Sequence, residues 1–573
     1  MHSPARAENY PQWPNLAAMM FRRAAEWPTR PMLRSLRPDG VWRSISWGEF
    51  ARLAAAAARG LRQAGVAAGD RVLIVSENRP EYPIAETALL AIGALPVPTY
   101  TTNTVEDFAH VLRDSGARAA IVSSPGITQH LRAAGTLDLV VTLESQPPVG
   151  HTLSWAALTA TATLPADDIA AEAEGIAASS LACIIYTSGT GGAPKGVMLS
   201  HRAVLSNCRG AFALVQPLRL SHELYLSALP LSHSYEHTVG QFFLLSIGTE
   251  IAYSRGIEHL AADMMAVRPT IMAMVPRILE VIRTRILAQV ERQPPWRQEL
   301  FRRAIAHGER KMGGQRRSPV AWIADRALDR LVRRKVTARF GGRLRVALSG
   351  GARLDPDVGR FFQALGVSLM QGYGQTEAGP VIAATLPMAA HLDTVGPPLA
   401  GVEVRIAADG EILVRGDLLM DGYWNRPDET LEAIRDGWLH TGDVGGFDAD
   451  GNLRITDRKR DIIVLSGGDN VSPARVEAML ATSPSIAQAV VFGDGQSGLS
   501  ALIVAAEGCS EQQASNAVSE VNRRLGAPER VRRHRLVKPF TLEDGLMTAT
   551  QKIRRRHVLN AYASLVSELQ AAR

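Results

Sequence analysis

Short apolar runs alternate with helix-like stretches through the first two-thirds of the chain, and this alternation limits the possible folds strongly. Arg71–Val75 has the pattern of a buried strand, residues 83–93 that of a helix, and Leu95–Pro98 that of the next extended segment. Further short strands are expected at Ala119–Val122 and at residues 139–141. Strands separated by helices usually pair in parallel, because the returning helix covers the sheet. The pattern therefore predicts α/β layers around a largely parallel sheet.

The length of the chain, 573 residues, exceeds what one hydrophobic core usually supports, so more than one domain is expected. A charged run at residues 457–461 comes directly before an apolar segment and marks a candidate boundary. We predict a large N-terminal domain over residues 1–459 and a smaller α+β domain over residues 460–573. Ser472 followed by Pro473 predicts a helix start in the smaller domain, since serine caps helices and proline suits the first helical position. Residues 402–415 predict a β-hairpin.

The net charge of +7 is unevenly distributed, because residues 283–345 alone carry +13 and the rest of the chain carries −6. This segment predicts a basic helical insertion, broken at Pro294-Pro295 and Gly313-Gly314. One interpretation, which we favour, is a solvated helical face. The other is a surface that lies on anionic lipid, with apolar anchors at Trp296, Phe301, Trp322 and Ile323. Nucleic acid is a weaker candidate, because no nucleic-acid-binding motif accompanies the charge.

Cysteine usage and the N-terminal sequence bear on the compartment. Cys183, Cys208 and Cys509 show no metal-ligand or CxxC spacing, so we expect reduced, buried thiols. The apolar run at residues 16–21 is too short for a signal-peptide core, and no run approaches the length of a membrane span. These features predict a soluble cytoplasmic protein, with peripheral membrane contact as an open alternative.

Residues 184–201 join a β-branched apolar run to a loop of glycines and hydroxyls, closed by Pro194-Lys195-Gly196. Glycine lets the backbone approach a ligand, hydroxyls donate hydrogen bonds, and lysine adds a mobile positive charge. The pattern differs from the NTPase P-loop, in which the lysine is followed by serine or threonine. It predicts a phosphate-binding loop formed by Thr187, Ser188, Gly189, Thr190 and Lys195.

A second polar segment, residues 371–377, follows an apolar run and is expected to be a turn at a sheet edge. Tyr373 offers an aromatic face for a purine ring, and Thr376 offers a hydroxyl. Glu377 offers a hard oxygen ligand, which suits Mg²⁺ held together with substrate phosphates. This segment therefore predicts part of a nucleotide site.

Five ordered segments resemble the motifs of the adenylate-forming enzymes, the superfamily of acyl-CoA synthetases, luciferases and peptide-synthetase adenylation domains. They are the phosphate loop and residues 349–352, 371–377, 440–443 and 545–555. The resemblance covers residues 69–556. It implies a large N-terminal domain, layered α/β with a β-barrel-like subdomain, and a small mobile α+β C-terminal domain. The chain departs from the usual family pattern at Gly191, Ala549 and Gln551.

The resemblance also implies residue roles. Lys552 matches the catalytic lysine, and Glu377 matches the Mg²⁺ ligand. Thr376 and Glu377, which belong to one motif, are expected to be catalytic residues together with Lys552. Arg460 matches the hinge about which the C-terminal domain rotates, and the loop of Gly467 and Gly468 would then approach the pantetheine of CoA. ATP or AMP would be bound by the phosphate loop and by Gly351, Ala352, Gln371, Gly372, Tyr373, Gly374, Asp443 and Arg458.

Within this superfamily, residues 229–236 resemble the corresponding segment of the long-chain fatty acyl-CoA synthetases, as do residues 458–473 and the helical insertion. His233 would have a positioning role near the acyl and thiol sites. Tyr235, Val239 and Phe242 would line an acyl tunnel, although periodicity alone fits an ordinary helix core equally well.

The implied reaction joins a fatty acid to ATP, releasing pyrophosphate, and then transfers the acyl group from acyl-AMP to CoA. The alternatives are a ligase for aryl or medium-chain acids, an acyl-AMP ligase that loads a carrier protein, and a non-catalytic protein that binds acyl ligands or lipid.

Overall fold

The computed structural model describes residues 10–144, 151–187, 193–312, 319–386, 392–467, 469–548 and 552–571. Within these ranges, no helix combines the length and the hydropathy that a membrane crossing requires. All three cysteines are free thiols; Cys183 and Cys208 are buried as expected, whereas Cys509 is partly exposed.

Most strands are short and apolar. In chain order they are β1 (Pro31–Leu36), β2 (Trp42–Ser46), β3 (Arg71–Val75), β4 (Leu95–Pro98), β5 (Ala119–Val122), β6 (Leu139–Thr142), β7 (Thr152–Ser154), β8 (Leu181–Thr187), β9 (Lys195–Ser200), β10 (Leu224–Ser227), β11 (Glu250–Tyr253), β12 (Ile271–Met274), β13 (Val346–Ser349), β14 (Leu369–Gly374), β15 (Val381–Ala384), β16 (Glu403–Ile406), β17 (Glu411–Arg415), β18 (Gly422–Tyr423), β19 (Ile434–Arg435), β20 (Trp438–Phe447), β21 (Leu453–Arg458), β22 (Ile463–Val464), β23 (Asn470–Val471), β24 (Ile486–Phe492), β25 (Leu499–Ala505) and β26 (Val531–Leu536).

The helices follow the strands in alternation. They are α1 (Leu16–Glu26), α2 (Trp47–Gln63), α3 (Glu81–Ala91), α4 (Val105–Ser115), α5 (Pro125–Ala134), α6 (Trp155–Leu158), α7 (Asp167–Glu174), α8 (His201–Val215), α9 (Leu244–Ser246), α10 (Leu260–Val267), α11 (Pro276–Glu291), α12 (Pro295–Met312), α13 (Pro319–Leu328), α14 (Arg334–Ala338), α15 (Pro356–Ala364), α16 (Pro427–Ala433), α17 (Pro473–Ala481), α18 (Glu511–Asn522), α19 (Arg555–Ala561) and α20 (Ala563–Ala571). Two π-helical segments, Glu236–Phe243 and Asp329–Arg333, interrupt this pattern.

Two large sheets form the layered part of the molecule. One has the order β4-β3-β5-β6-β7 and is parallel throughout. The other has the order β15-β14-β13-β12-β10-β11-β1-β2 and is parallel except at its two edges. Leu73 and Val122 on the first sheet share a buried cluster with Phe108 of α4 and Leu131 of α5. The predicted α/β layers with a largely parallel sheet are therefore confirmed.

Smaller sheets complete the fold. Three strands pair in the order β18-β9-β8, and an antiparallel group has the order β16-β17-β20-β19 with β21 on β20. The predicted hairpin at residues 402–415 is present as β16 and β17, with Gly410 at a φ of +83° in its turn. A glycine suits this position because a positive φ is unfavourable for residues with a Cβ.

The chain divides into two compact units. The larger comprises Met1–Leu279, Ala288–Val404 and Val414–His440, and the smaller comprises Glu280–Leu287, Arg405–Leu413 and Thr441–Arg573. The boundary after residue 459 stays a prediction, and the compact division assigns residues 441–459 to the smaller unit as well. In the smaller unit, the predicted helix start is confirmed, because the Ser472 hydroxyl accepts a hydrogen bond from the Arg475 N–H and α17 begins at Pro473.

The basic insertion is helical, and its predicted break at Pro294-Pro295 separates α11 from α12. Gly313-Gly314 lies outside the described residues. The interpretation of Phe301 as a lipid anchor is wrong, because its side chain is buried and its ring lies 6.2 Å from that of Phe361. Gly308 on the same helix face approaches α15 so closely that a Cβ would lie 2.2 Å from the Ala364 oxygen. This face of α12 is therefore core.

Candidate functional site

The predicted phosphate loop joins two antiparallel strands, β8 and β9. Thr187 at the end of β8 and Lys195 at the start of β9 are partners in the strand register. The Pro194 carbonyl, beside Lys195, lies 2.7 Å from Nε2 of His110. Ser188, Gly189 and Thr190 lie outside the described residues. The backbone of Lys195 is thus fixed as the first residue of β9, at the C-terminal end of the predicted phosphate loop.

The Lys195 ammonium has two neighbours that the sequence analysis missed. It forms an ion pair with Glu429 of α16, and it lies 4.9 Å from the centre of the Tyr423 ring. An ammonium over an aromatic face is attracted by the negative charge density of the ring. The order Gly-Tyr followed by a proline-initiated, acidic helix turn was a usable signal for these two residues.

Tyr423 contacts Glu377 as well as Lys195. The Tyr423 hydroxyl donates a hydrogen bond of 2.9 Å to Glu377 Oε1. Among the described residues, no hydrogen bond to the second carboxylate oxygen is found, so this oxygen is open to a cation. Mg²⁺ commonly takes one or two carboxylates together with phosphate oxygens, and one half-buried glutamate near the lysine predicted to bind phosphate fits this mode. No group of three or more metal-ligating side chains is found in the described part of the chain.

Thr376 connects this cluster to the predicted acyl segment. Its hydroxyl lies 2.9 Å from the hydroxyl of Ser234, and both residues are buried. Residues 371–374, expected in a turn, instead belong to β14, and the turn begins at the short 3₁₀ helix Thr376–Ala378. The strand continues because Gly372 and Tyr373 pair with Ala384 and Ala383 of β15.

The predicted purine-binding residues lie along β14 and the loop after β13. Gln371 is buried and donates to the Thr394 carbonyl at 2.7 Å. Gly374 must be glycine, because a Cβ there would lie 1.9 Å from the Pro380 oxygen. Gly351 has a φ of +79°, and both it and Ala352 are exposed. These two surface positions therefore remain open to a ligand.

The predicted acyl residues surround the π-helix Glu236–Phe243. His233 Nδ1 accepts a hydrogen bond from the Tyr235 N–H at 3.1 Å, and the Tyr235 hydroxyl donates to the Leu348 carbonyl at 3.2 Å. Val239 and Phe242 are buried, and the Phe242 ring lies 5.1 Å from that of His237. π-Helices are rare and occur often at functional sites.

Two buried carboxylates hold this helix. Glu86 was not predicted from the sequence, and Glu236 was included there only as the last residue of the segment 229–236. Glu86 of α3 accepts hydrogen bonds from His237 Nε2 at 2.6 Å and from Gln241 Nε2 at 2.5 Å. Glu236 accepts from the hydroxyls of Tyr225 at 2.7 Å and Ser227 at 2.6 Å. No local sequence pattern relates position 86 to position 237. The contact between Glu86 and His237 therefore becomes visible only in the folded chain.

Glu236 occupies a space that only glycine leaves free. A Cβ at residue 240, one helical turn onward, would lie 2.5 Å from the Glu236 carboxyl carbon. Burial raises the pKa of Glu236 to about 7, although its hydrogen bonds to Ser227 and Tyr225 act in the opposite direction. A carboxyl removed from water favours its neutral form.

This raised pKa predicts a pH-dependent stability. Between the ordinary value of 4.5 and about 7, the folded protein holds a proton on Glu236 that the unfolded chain releases. The contribution to stability is therefore complete below pH 4.5 and is lost as the pH rises through 7. Relative to Glu236→Gln, the free energy of unfolding of the wild type should fall by up to about 3 kcal/mol between pH 5 and pH 8.

Urea unfolding of both proteins at each pH measures this difference. Because other carboxylates titrate equally in the two proteins, the comparison isolates Glu236. A wild-type-to-variant difference that stays constant from pH 5 to pH 8 would contradict the expectation.

In the smaller unit, the predicted ribose-binding residues form a pair. Asp443 of β20 and Arg458 of β21 are opposite one another in the register, and Arg458 Nε donates to Asp443 Oδ1 at 3.1 Å. Gly442, with a φ of +71°, donates its N–H to Glu411 Oε1 at 3.0 Å. Asp443 is thus fixed within β20, with its Oδ1 held by Arg458.

Lys552 lies at the end of a hairpin-like loop in the same unit. Its N–H donates to the Thr548 hydroxyl at 3.0 Å, and its carbonyl accepts from the Thr548 N–H at 2.8 Å. Desolvation by nearby protein atoms and then the positive charge of Arg458 lower the pKa of Lys552 to about 8, whereas Asp443 opposes the change. The residue also has exposed surface, and water there moves the pKa back toward its ordinary value.

Arg555 anchors the Lys552 loop to the core of the smaller unit. Its guanidinium donates to Glu477 Oε1 of α17 and to the Val491 carbonyl of β24, each at 2.5 Å. The Val491 N–H in turn donates to Glu477 Oε1 at 2.6 Å. A planar guanidinium held at two points has little freedom, so the chain leaving Lys552 has a fixed direction.

The remaining predicted residues lie on turns of the smaller unit. Arg460 is exposed in the turn between β21 and β22, where Asp461 donates its N–H to the Arg458 carbonyl at 2.9 Å. Gly467 is exposed in the turn between β22 and β23, and Gly468 lies outside the described residues. The hinge and CoA roles of these residues stay predictions.

Comparison with known proteins identifies the family. The model of the AMP-binding enzyme family matches residues 20–424, and that of the AMP-binding enzyme C-terminal domain matches residues 460–573. The chain is 33% identical to the long-chain-fatty-acid–CoA ligase FadD15 of Mycobacterium tuberculosis, over 96% of each chain. It is 28% identical to the human long-chain-fatty-acid–CoA ligase 1, over 94% of this chain and 84% of the relative.

Solved structures agree on the fold. The anthranilate CoA ligase AuaEII, in complex with anthranoyl-AMP, superposes with a TM-score of 0.77 at 21% identity and covers 98% of this chain and 100% of its own. ATP-bound MatB from Rhodopseudomonas palustris gives 0.71 at 22% identity, with 97% and 100% covered. The family models together span most of the sequence, and this chain belongs to the AMP-binding enzymes.

Proposed function

We propose that this protein is an acid–thiol ligase that activates a long-chain fatty acid with ATP and transfers the acyl group to CoA. The observation that carries the proposal is the cluster of Lys195, Tyr423 and Glu377, in which the Tyr423 hydroxyl donates to Glu377 and the Tyr423 ring lies under the Lys195 ammonium. This cluster supports a phosphate-binding role for Lys195 and a Mg²⁺-binding role for Glu377. The two relatives above, both named as long-chain-fatty-acid–CoA ligases, support the choice of acid and acceptor.

In the first half-reaction, a carboxylate oxygen of the fatty acid attacks the α-phosphorus of ATP. A new P–O bond forms as the bond to the β-phosphate oxygen breaks, giving acyl-AMP and pyrophosphate. Lys195 and Lys552 stabilise negative charge on the phosphates, and Asp443 orients the ribose. Positioning and charge stabilisation carry such a transfer, since no covalent intermediate with the protein is needed. Mg²⁺ bound at Glu377 would neutralise further phosphate charge.

In the second half-reaction, the CoA thiol loses its proton to solvent and the sulfur attacks the acyl carbonyl carbon. A C–S bond forms as the bond from that carbon to the phosphate oxygen breaks, and AMP leaves. His233 is a positioning residue here, because its Nδ1 is already engaged by the Tyr235 N–H. Arg460 as a hinge and Gly467 and Gly468 as the CoA-side loop complete the proposal. No step of this second half-reaction requires Lys552, so its proposed role is confined to the first half-reaction.

Product formation from a panel of acids tests the proposal. ATP, Mg²⁺ and CoA are supplied with acids from acetate to oleate and with benzoate, and AMP and acyl-CoA are both measured. Acyl-CoA formed mainly from long chains supports the proposal. Preference for benzoate or short chains favours the aryl or medium-chain alternative, and AMP without acyl-CoA favours a carrier-protein acceptor. Absence of product with every acid favours the non-catalytic alternative.

The acyl chain is proposed to lie beside the π-helix, against Val239 and Phe242, with Tyr235 near its carboxyl end. If so, Phe242→Ala opens space and shifts the preferred chain length upward by one or more two-carbon steps. The kcat/KM values for saturated acids of 8 to 18 carbons measure this shift. If the chain-length profile of a stably folded Phe242→Ala variant is unchanged, Phe242 is an ordinary core residue and does not line the acyl site.

A second proposal concerns contact with anionic lipid through the outer face of the helices α13 and α14. Ile323 and Leu331 are 64% and 51% exposed, whereas Leu328, Val332 and Val336 of the same helical run are buried. Arg326 and Arg330 lie between Ile323 and Leu331 along the chain, Arg334 follows Leu331, and all three arginines are exposed. An apolar strip flanked by basic residues is suited to the interface of an anionic membrane.

Vesicle sedimentation tests this surface. Binding to phosphatidylglycerol vesicles should exceed binding to phosphatidylcholine vesicles and weaken between 0.1 and 0.5 M salt, since salt screens exposed charges. Ile323→Gln with Leu331→Gln should reduce binding severalfold. Leu164→Gln, which alters a 48%-exposed leucine elsewhere, is the matched control. Salt-insensitive binding or an unaffected double variant would contradict the proposal.

A further inference from the structure

Lys195, the proposed phosphate-binding lysine, has an acidic neighbour, Glu429. The proposed reaction assigns no role to Glu429. Its carboxylate forms the ion pair with Lys195, and the two side chains are 35% and 32% exposed. Lys195 Nζ therefore lies between a carboxylate and the Tyr423 ring. In this arrangement Glu429 already neutralises the positive charge of Lys195, which is proposed to bind phosphate.

The position of Glu429 is determined by several contacts. It lies in the first turn of α16, and the Tyr423 N–H donates to the Thr430 hydroxyl of the same helix at 2.9 Å. Arg426 lies 3.5 Å from Glu429 Oε1 and 3.2 Å from Asp114 Oδ1, which gives the carboxylate a second cationic neighbour.

The strand that carries Lys195 is fixed relative to this group. Tyr423 of β18 pairs with Val197 of β9, and the Trp424 N–H donates to the Gly196 carbonyl at 2.7 Å. Gly196 admits this contact, because a Cβ would lie 2.7 Å from Ile184 and 3.2 Å from Trp424. The strand and helix α16 are thus held together, and the Lys195 side chain is the flexible element.

A nucleotide changes the balance of charge at Lys195. The β- and γ-phosphates of ATP attract the ammonium, and the same phosphates repel a nearby carboxylate. The ammonium can leave Glu429 without loss of charge neutralisation for the carboxylate, since Arg426 remains beside it. A half-exposed ion pair is weak enough to be exchanged for a phosphate contact.

Building on the proposed function, we infer that Glu429 holds Lys195 in the nucleotide-free enzyme and releases it to the phosphates of ATP. Glu429 is thus a positioning residue that lowers the affinity for ATP. Because pyrophosphate occupies the same phosphate positions after adenylation, the same exchange in reverse promotes its departure.

Glu429→Gln is the first test, with MgATP binding measured by calorimetry and turnover by ATP–pyrophosphate exchange. The variant should bind MgATP about two- to fivefold more tightly, which is the range of a half-exposed ion pair. The KM for the fatty acid should not change. Glu432→Gln is the matched control, because Glu432 is an exposed residue of the same helix. Weaker MgATP binding by Glu429→Gln, or no change, would overturn the inference.

The Lys195→Met background separates two causes. If Glu429 acts through Lys195, adding Glu429→Gln to Lys195→Met leaves the Kd of MgATP unchanged, and the cycle shows coupling. If the carboxylate only repels phosphate, the affinity rises equally in both backgrounds and the inference is wrong. Exchange by the wild type with a fatty acid tests the proposed function independently, because the Glu429 inference concerns ATP affinity alone.

Discussion

Replacement of Lys552 with alanine is expected to lower the rate of acyl-adenylate formation by about 10²–10³-fold. The same variant should convert supplied acyl-AMP and CoA to acyl-CoA at close to the wild-type rate. The physical reason is that Lys552 is proposed to stabilise the charge that develops on the phosphates of ATP as pyrophosphate leaves, whereas the proposal assigns it no contact with the AMP that leaves in the thioester step. The Thr548 and Arg555 contacts fix the loop without using the ammonium, so the loop should survive the substitution.

Single-turnover measurements of the two half-reactions distinguish this outcome from general damage. Lys538→Ala, which removes an exposed lysine of the same unit, is the matched control and should affect neither step. Equal loss of both half-reactions in Lys552→Ala would contradict the assignment. Retention of adenylation would move the catalytic role to another cation.

Replacement of Glu86 with leucine is expected to destabilise the protein by about 3–5 kcal/mol. The buried carboxylate accepts hydrogen bonds from His237 and Gln241, and its removal leaves both side chains buried without an acceptor. Glu86→Gln keeps one acceptor oxygen and should cost less. The midpoint of guanidinium unfolding, compared with the wild type, measures the loss.

The control for this prediction lies on the same helix. Glu81 pairs with Arg79 at 2.9 Å near the start of α3, where the arginine is partly exposed. Glu81→Gln should cost no more than about 1 kcal/mol, because partly exposed ion pairs contribute little. A Glu86→Leu midpoint as close to the wild type as that of Glu81→Gln would contradict a structural role for the buried pair.

Local sequence signals predicted much of the layered fold. Strands such as β3 and β5 are largely continuous apolar runs. Their burial could therefore be predicted from the composition of about five neighbouring residues. The helix start at Ser472-Pro473 and the turn at Gly410 were equally local. Lys195, Glu377, Asp443 and Lys552 could be proposed as site residues because their motifs keep a fixed order along the chain.

Contacts between distant positions were not predictable in this way. Glu86 and His237 are 151 residues apart, and neither lies in a pattern that distinguishes a buried polar pair from a surface pair. Tyr423 acquires its role only when β18 pairs with β9. Phe301 was misassigned because an apolar residue in a basic helix fits core and membrane equally well until its neighbours are known.

The vacancy at Gly240 constrains how this sequence can diverge. Its missing side chain provides the room for the Glu236 carboxylate, which Tyr225 and Ser227 hold in place. A mutation to alanine at position 240 is therefore tolerated only together with a shorter residue at position 236. We therefore expect positions 236 and 240 to be coupled: a library that randomises position 240 while position 236 stays glutamate should recover glycine.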